Sequence, residues 1–452
     1  MANPTPRDLA LQALNHFDDK GILPRYFLEQ SFRRYPGISG RDKALCVHLT
    51  NGVLRWRLRL DWYIEQSLNF PFDKVELRVL NILRIALYQI LFMDRIPEPA
   101  AVNEAVKQTK SGGKPHVARF VNALLRGIIR KRNSLKPFPE SVDQVERLSV
   151  EHSYPQWLVG KWITELGEGR ATSLLKASNE IPKLVVRVNT LKTSRAALIG
   201  YLAAEGVCAS PTRFSPAGIH IDDLNVPITE LGAFKEGLFQ VQGEAAQICS
   251  FLLNPSKGDR VLEICAGIGG KATHLAEMVG PQGRVIGLDI KRGSLVRLRQ
   301  TCKRLGISWL HPVCADAAKP LDKLFKKRFE GILIDSPCSG LGVISRHPDI
   351  KWAREESHIP ELSKVQTQIL ASAGRILGPG GTLLYVTCTI SREENEAVVN
   401  SFLERHPDMD VVDLRDKVPR WAKGLVDENG FFRTWPDVHG LDGFFGAMLV
   451  KR

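Results

Sequence analysis

Val261-Leu262-Glu263-Ile264-Cys265-Ala266-Gly267-Ile268-Gly269-Gly270-Lys271 passes from an apolar run through a glycine-rich loop into helical pattern. Glycine allows positive φ and close approach of backbone to a ligand. A carboxylate or phosphate can sit at the amino end of the helix that follows. The stretch therefore reads as a strand–loop–helix unit of an open α/β sheet, where ligands bind beyond the carboxyl ends of the strands. It is not a Walker-type phosphate loop, because Lys271 is followed by Ala272 rather than Ser or Thr. Outward from it, the apolar runs 260–264, 284–288, 331–335 and 382–387 alternate with helical pattern. That alternation predicts a mostly parallel sheet covered on both faces. Gly443 to Val450 predicts a last, antiparallel strand near the edge.

Upstream the period changes. The first 135 residues read as all-helical. Val75 to Phe92 is apolar nearly all round, as expected of the central helix of a bundle. Val117, Phe120, Val121, Leu124, Leu125, Ile128 and Ile129 recur at helical spacing, with Arg119, Asn122, Arg126 and Arg130 on the other faces. Pro97, Pro99 and Gly112-Gly113 mark turns, and Pro137 and Pro139, after Arg130-Lys131-Arg132, mark a linker. Beyond it, helical pattern over Trp157 to Leu175, a strand at Leu184–Val188, a helix over Arg195 to Glu205 and a strand at Gly218–Ile221 make a small α+β unit. The expected division is 1–140, 141–240 and 241–452.

A length of 452 residues suits two or three domains, and 44% hydrophobic with 25% charged residues is ordinary for a globular chain. The longest apolar stretch is interrupted by Arg78 and Arg84 and reads as core rather than membrane span. The amino terminus lacks a basic-then-apolar signal pattern, so the expected compartment is the cytoplasm. Eight cysteines include no Cys-x-x-Cys and no zinc spacing. Free thiols and no metal are expected. The net charge of +13 is uneven: residues 1–140 carry 23 Lys+Arg against 13 Asp+Glu, 141–240 carry 10 against 11, and 241–452 carry 29 against 25. A basic surplus confined to the first third is the footprint of a phosphate-binding module.

Several residues carry chemistry. Asp289 ends the strand after the glycine loop, where an acidic residue can accept both ribose hydroxyls. Asp316, read as the end of the third strand, is placed to receive an adenine amino group. Asp335-Ser336-Pro337-Cys338-Ser339-Gly340 sets a strand-end carboxylate before a proline-stiffened turn, suited to holding N3 and N4 of a cytosine. Cys338 and Cys388 each follow an apolar strand-like run. Cys388 precedes a helix that we expect to be capped by Ser391 with Glu394 three residues on, a setting that lowers a thiol pKa. A thiolate is a strong nucleophile at neutral pH, and carbon 5 of a pyrimidine needs a nucleophile to activate it for methylation. His347-Pro348-Asp349-Ile350-Lys351-Trp352 reads as a compact polar loop that contacts an RNA strand, positions a cysteine, or is only a surface turn. Residues 433–436 and 439–445 are candidates to line a substrate cleft.

Taken in order, these motifs resemble the Sun/Fmu (RsmB-type) family of RNA 5-methylcytosine methyltransferases: the loop 265–271, Asp-Ser-Pro-Cys-Ser-Gly-x-Gly at 335–342, Arg-His-Pro-Asp-Ile-Lys-Trp at 346–352, Thr-Cys at 387–388 and Asp-Gly-Phe-Phe at 442–445. The basic helical part resembles a NusB-like RNA-binding domain, through residues 101–106 and 120–126. The resemblance implies a Rossmann-like class I methyltransferase domain with a mostly parallel seven-stranded sheet, S-adenosyl-L-methionine as cofactor, a 16S ribosomal RNA cytidine as substrate, and a monomer that uses neither metal nor membrane. It implies that Cys265, Ala266, Gly267, Ile268, Gly269, Gly270 and Lys271 bind the methionine part of the cofactor. Asp289 would bind ribose, Asp316 adenine, and Asp335 both the cofactor side and the target base. Cys388 would be the nucleophile and Cys338 the residue that assists product release; the sequence itself does not rank the two. The family's Cys-Ala-Ala-Pro-Gly-Gly-Lys is altered at Gly267 and Ile268, which predicts a less preorganised loop. Two rival readings are a non-catalytic RNA-binding scaffold and a methyltransferase acting on an exocyclic nitrogen. The second has no use for Cys388, and this chain has Pro-Cys where such enzymes carry Pro-Pro-aromatic.

Overall fold

The computed structural model describes residues 4–110, 115–131, 143–222, 224, 226–326 and 328–452. Two compact units emerge: one runs to Asn179 and adds Arg346–Glu355, and the other holds Glu180–Ser345 and Glu356–Arg452.

The first unit is helical: α1 (Pro6–Lys20), α2 (Pro24–Arg34), α3 (Gly40–Glu65), α4 (Leu77–Phe92), α5 (Glu98–Lys110) and α6 (Pro115–Lys131), then three shorter helices ending at Ala177. Local sequence sets the ends. The Thr5 side chain accepts from the Asp8 amide, Asp8 answers to the Thr5 amide, Pro6 opens the helix, and Gly21 closes it at φ 65. Every residue of α4 from Val79 to Ile90 is buried, as the all-round apolar pattern predicts. Its polar members are paired inside: Arg84 grips Asp61 through two bonds of 2.7 Å, and Asn81 donates to Asn15 at 2.9 Å. Helix α6 buries Ala118, Val121, Leu124, Leu125 and Ile128 and leaves Arg119, Arg126 and Arg130 exposed. The expected turn at Gly112-Gly113 and the linker residues Arg132, Pro137 and Pro139 lie outside the described residues. The helical pattern over 157–175 divides at Gly167, whose φ of 77 ends one helix and begins the next.

The polar-loop reading of 347–352 is corrected here. Ile350–Ala353 is a helical turn belonging to the helical unit, and Asp349 and Lys351 are buried. Lys351 Nζ donates to the carbonyls of Arg55 (3.1 Å) and Ser153 (3.0 Å) and to Asn179 Oδ1 (2.7 Å), 3.5 Å from the centre of the Tyr154 ring. Burial, and then Arg55, push this amine well below the usual lysine range. Three acceptors and a ring face offset that cost. Trp352 Nε1 donates to the Leu54 carbonyl at 2.7 Å.

The second unit contains two sheets. The smaller is antiparallel, in the order β2-β3-β1-β4, from β1 (Leu184–Val188), β2 (Cys208–Pro211), β3 (Gly218–Asp222) and β4 (Phe239–Val241). The larger contains β5 (Arg260–Ile264), β6 (Arg284–Asp289), β7 (Leu310–Cys314), β8 (Phe329–Asp335), β9 (Leu377–Thr387), β10 (Met409–Val412), β11 (Phe432–Thr434) and β12 (Phe444–Lys451). Its order is β10-β12-β9-β8-β5-β6-β7, with β11 added beside β12. Strands β5 to β9 are parallel, and β12 runs antiparallel between β9 and β10, the near-edge place expected of it. Successive residues feed opposite layers: Val261, Leu333, Leu384 and Val386 enter one apolar cluster, and Leu262, Ile332, Ile334, Leu383 and Tyr385 the other. The chain order changes direction at the β5/β8 boundary, the switch point where such sheets bind ligands. One expectation shifts: β7 ends at Cys314, so Asp316 lies in the turn beyond it, accepting from the Ala318 amide at 3.0 Å. Among the described residues no helix is long and apolar enough to cross a membrane.

Candidate active site

Strand β5 delivers the glycine loop to the switch point. Cys265 leaves the strand at φ 62, a left-handed conformation that costs a non-glycine residue about 1–2 kcal/mol. Gly267 (φ 55) and Gly269 (φ 89) continue the turn into the helix Gly270–Val279. A side chain on Gly269 would displace Leu298 Cδ1, and at φ 89 it would be strained whatever the space. The Ala266 amide donates to the Leu288 carbonyl at 2.9 Å, and the Gly267 amide to Asp289 Oδ2 at 2.8 Å. The second oxygen of Asp289 takes the Lys291 amide at 2.7 Å, leaving one lone pair on each for hydroxyls. Ile268 and Ile290 stand 50% and 63% exposed at the loop and just past β6. Glu263, beneath the loop, is buried with Oε2 unpartnered among the described residues, and burial followed by the Asp335 charge raises its carboxyl pKa well above the ordinary value. Tight backbone, a strand-end carboxylate and uncovered isoleucines fit a nucleoside that carries an amino-acid chain. The signal for Ile290, unread in the sequence, is an apolar residue directly after the strand-end aspartate.

Lys271 and Asp335 meet across the switch point at 2.6 Å. Burial, the largest single influence, would lower the Lys271 pKa, but Asp335, Cys249 and Glu263 act together against it and the net shift is upward. Lys271 also lies 5.4 Å from the Phe444 ring, in the 442–445 motif. Parallel pairing places Asp335 beside Val386, so the chain segments leaving β8 and β9 run together. Cys338 Sγ and Cys388 Sγ come to 3.3 Å, unbridged and half-buried. The Cys338 thiol pKa is raised well above its ordinary value, first by its hydrogen bond with Cys388, then by burial, then by the Cys388 and Glu394 charges. Backbone bonds join the surrounding motifs: Ser336 amide to Val386 carbonyl (2.8 Å), Gly342 amide to Cys388 carbonyl (3.0 Å), and Gly443 amide to Gly342 carbonyl (2.7 Å). A side chain on Gly342 would strike the Gly443 carbonyl.

The expected Ser391 cap is not formed. The next helix begins at Glu396, behind Asn395, well beyond Cys388 in the chain. Ser391 Oγ donates instead to Glu393 (2.6 Å), and Glu394 turns inward to Ser339. Of the candidate cleft residues, Arg433 is ion-paired with Glu396 and Asp427, and Thr434 Oγ1 donates to the Asp442 carbonyl at 2.6 Å. Arg187, on β1 and fully buried, braces the glycine-loop helix: it donates to the Gly270 carbonyl (2.6 Å), Thr273 Oγ1 (3.1 Å), Glu277 (2.7 Å) and Gln242. Nothing in the linear pattern marks it apart from a charge inside an otherwise apolar strand. Among the described residues no cluster of His, Cys, Asp or Glu is arranged to hold a metal ion.

Known proteins are similar to this chain from end to end. Residues 250–450 match the 16S rRNA methyltransferase RsmB/F model, 4–130 the NusB family, and 154–229 the ferredoxin-like domain of RsmF/B-like methyltransferases. The probable ribosomal RNA small subunit methyltransferase B of Bacillus subtilis strain 168 is 32% identical over 100% of both chains. Its counterpart in Escherichia coli strain 536 is 32% identical over 99% of this chain and 98% of its own. The solved structure of PH0851 covers 100% of both chains with TM-score 0.81 and 27% identity. A methyltransferase homologue from Pyrococcus horikoshii covers 69% of this chain and 100% of its own, with TM-score 0.60 and 26% identity. A glycine loop at a sheet switch point, a paired-thiol turn beside it, a helical amino-terminal part and relatives matching end to end lead to one conclusion: the chain belongs to the RsmB/F family of 16S rRNA methyltransferases.

Proposed function

We propose that this protein methylates carbon 5 of a cytidine in 16S ribosomal RNA through a transient bond between Cys388 and the pyrimidine ring. The observation that carries the reading is the 3.3 Å approach of Cys338 and Cys388, beside the Lys271–Asp335 pair at the cofactor loop. S-adenosyl-L-methionine is the cofactor, and when bound it supplies an electrophilic methyl group. Residues 265–271 hold its methionine part, Asp289 its ribose and Asp316 its adenine. Residues 1–140 grip RNA phosphates, 141–240 help place the strand, and 241–452 do the chemistry.

The target base is unstacked and held by Asp335, whose carboxylate accepts a hydrogen bond from the exocyclic N4 amino group. Cys388 Sγ donates its electron pair to carbon 6, and the ring's electrons shift so that carbon 5 becomes nucleophilic. After methylation the carbon 5 proton must leave. Its bonding pair re-forms the 5–6 double bond, and the sulfur–carbon 6 bond breaks with its pair returned to Cys388. Cys338 suits the proton-accepting role at that stage. Two causes of its raised pKa are the hydrogen bond and charge of Cys388. Both disappear while Cys388 is a thioether, so the Cys338 proton is held less tightly and its thiolate, the form that can take up the carbon 5 proton, becomes more accessible when a base is required.

Cys338→Ala is expected to trap a protein–RNA adduct that survives a denaturing gel, and Cys388→Ala to form none and to lose methyl transfer by about 10²-fold or more. Bisulfite mapping of 16S RNA locates the product. Normal methylation by the Cys388→Ala protein would remove the covalent step.

A further inference from the structure

Glu394 is fully buried among neutral donors that come from both cysteine-bearing loops. Its Oε1 accepts the Ser339 amide at 2.8 Å, and its Oε2 accepts Ser339 Oγ at 2.5 Å. Ser339 directly follows Cys338. The same hydroxyl lies 2.8 Å from Thr389 Oγ1, and Thr389 directly follows Cys388. Gln366 Nε2 bridges the carboxylate (3.0 Å) to the Pro337 carbonyl (2.9 Å), directly before Cys338. From behind, Tyr385 donates to the Glu394 carbonyl at 2.7 Å, and Asn395 accepts from Thr387 at 2.6 Å and donates to the Thr389 carbonyl at 3.1 Å. One carboxylate thus ties residues on either side of Cys338 to the residue after Cys388. Burial raises its own pKa, while the Ser339, Gln366 and Thr389 bonds act against that shift.

We propose that Glu394 is a positioning residue that fixes the Cys338 loop against the Cys388 loop, so that Cys338 is in reach when the methylated pyrimidine must be released. The inference rests on the assignment of Cys388 as nucleophile and Cys338 as release residue. Glu394 touches neither substrate nor cofactor in this role. Shortening or removing it leaves attack by Cys388 possible but frees Cys338 to drift, and misplacement of about 1 Å is enough to slow a positioned step on the order of 100-fold. The isosteric amide still spans to the Ser339 amide.

The test compares Glu394→Asp, Glu394→Ala and Glu394→Gln in the full-length protein, with kcat, KM for cofactor and RNA, the adduct fraction on denaturing gels, and the thermal midpoint. The aspartate and alanine variants should lower kcat on the order of 10- to 100-fold. Both KM values should stay within about twofold, adduct should accumulate as it does for Cys338→Ala, and the glutamine variant should recover most of the rate. Ser339→Ala, which removes the shared hydroxyl alone, should shift the same partition in the same direction and carries the test if the Glu394 variants do not fold. Folded Glu394→Asp and Ser339→Ala proteins with wild-type partition would overturn the inference while trapping by Cys338→Ala still stood. Absence of trapping by Cys338→Ala would instead sink the reading beneath it.

Discussion

Gly267 combines a left-handed backbone with an amide given to Asp289, and Ile268 after it is half-exposed. The expectation of a loosely organised loop rests on the missing alanine and proline at these places. The structure supplies other restraints: the Asp289 bond, the Leu288 bond and the steric limit at Gly269. A proline at 268 would push residue 267 toward extended backbone, and an alanine at φ 55 costs about 1–2 kcal/mol. Gly267→Ala/Ile268→Pro should therefore weaken S-adenosylmethionine binding roughly 5- to 30-fold by titration calorimetry, the equivalent of that cost. Tighter binding would show that the loop does gain from the substitution. At this scale the sequence is most readable where a residue sits on a strand end, as Asp289 and Asp335 do. Local spacing marks Glu394 as a helix-capping partner, because Ser391 stands three residues before it. Its inward turn toward Ser339 is a contact across 55 residues that no local spacing encodes.

Elements separate by how much of their environment is written in their own residues. Strands β5, β6, β8 and β9 are buried on both faces and announce themselves as apolar runs. Strands β2 and β4 span four and three residues of mixed character and draw their order from neighbours. Strand β9 also begins earlier than its apolar run, at Leu377, which pairs with Phe329 before the register jumps to Gly331–Thr382 and leaves residues 378–381 bulged out of the ladder. The link between the small sheet and the glycine-loop helix is Arg187, whose pairing with Glu277 buries both side chains to 0% and 1% exposure. Arg187→Met removes one partner and leaves a carboxylate inside. It should cost about 3–5 kcal/mol in urea unfolding and raise the KM for cofactor, because the Gly270 carbonyl loses its donor. A variant as stable as the parent would mean that solvent or another donor replaces the guanidinium.

For the whole molecule, charge and topology matter more than any single bond. The basic surplus of the first 140 residues is legible from counting, and α6 displays three of those arginines on its exposed surface. If they meet RNA phosphates, affinity should fall linearly on a log–log plot against salt. Replacing Arg119, Arg126 and Arg130 by Gln should flatten that slope by about 0.7 for each phosphate no longer neutralised on single-stranded RNA, measured by filter binding. An unchanged slope would place the phosphate-binding residues elsewhere. Which unit owns residues 346–355 is invisible in the sequence, since a lysine and a histidine in a proline-bearing segment look like surface.

That ownership has a consequence for how the two units can be separated or exchanged. Ten residues threaded out of the later half of the chain complete the interior of the earlier half, with Lys351 filling a socket of three oxygens. A single cut near residue 179 therefore leaves the first fragment short of ten residues of its own unit, while the second carries its whole unit and those ten besides. Any swap of the amino-terminal module, by evolution or by hand, has to carry a matching insert some 170 residues downstream, or strand an amine with nothing to hold it.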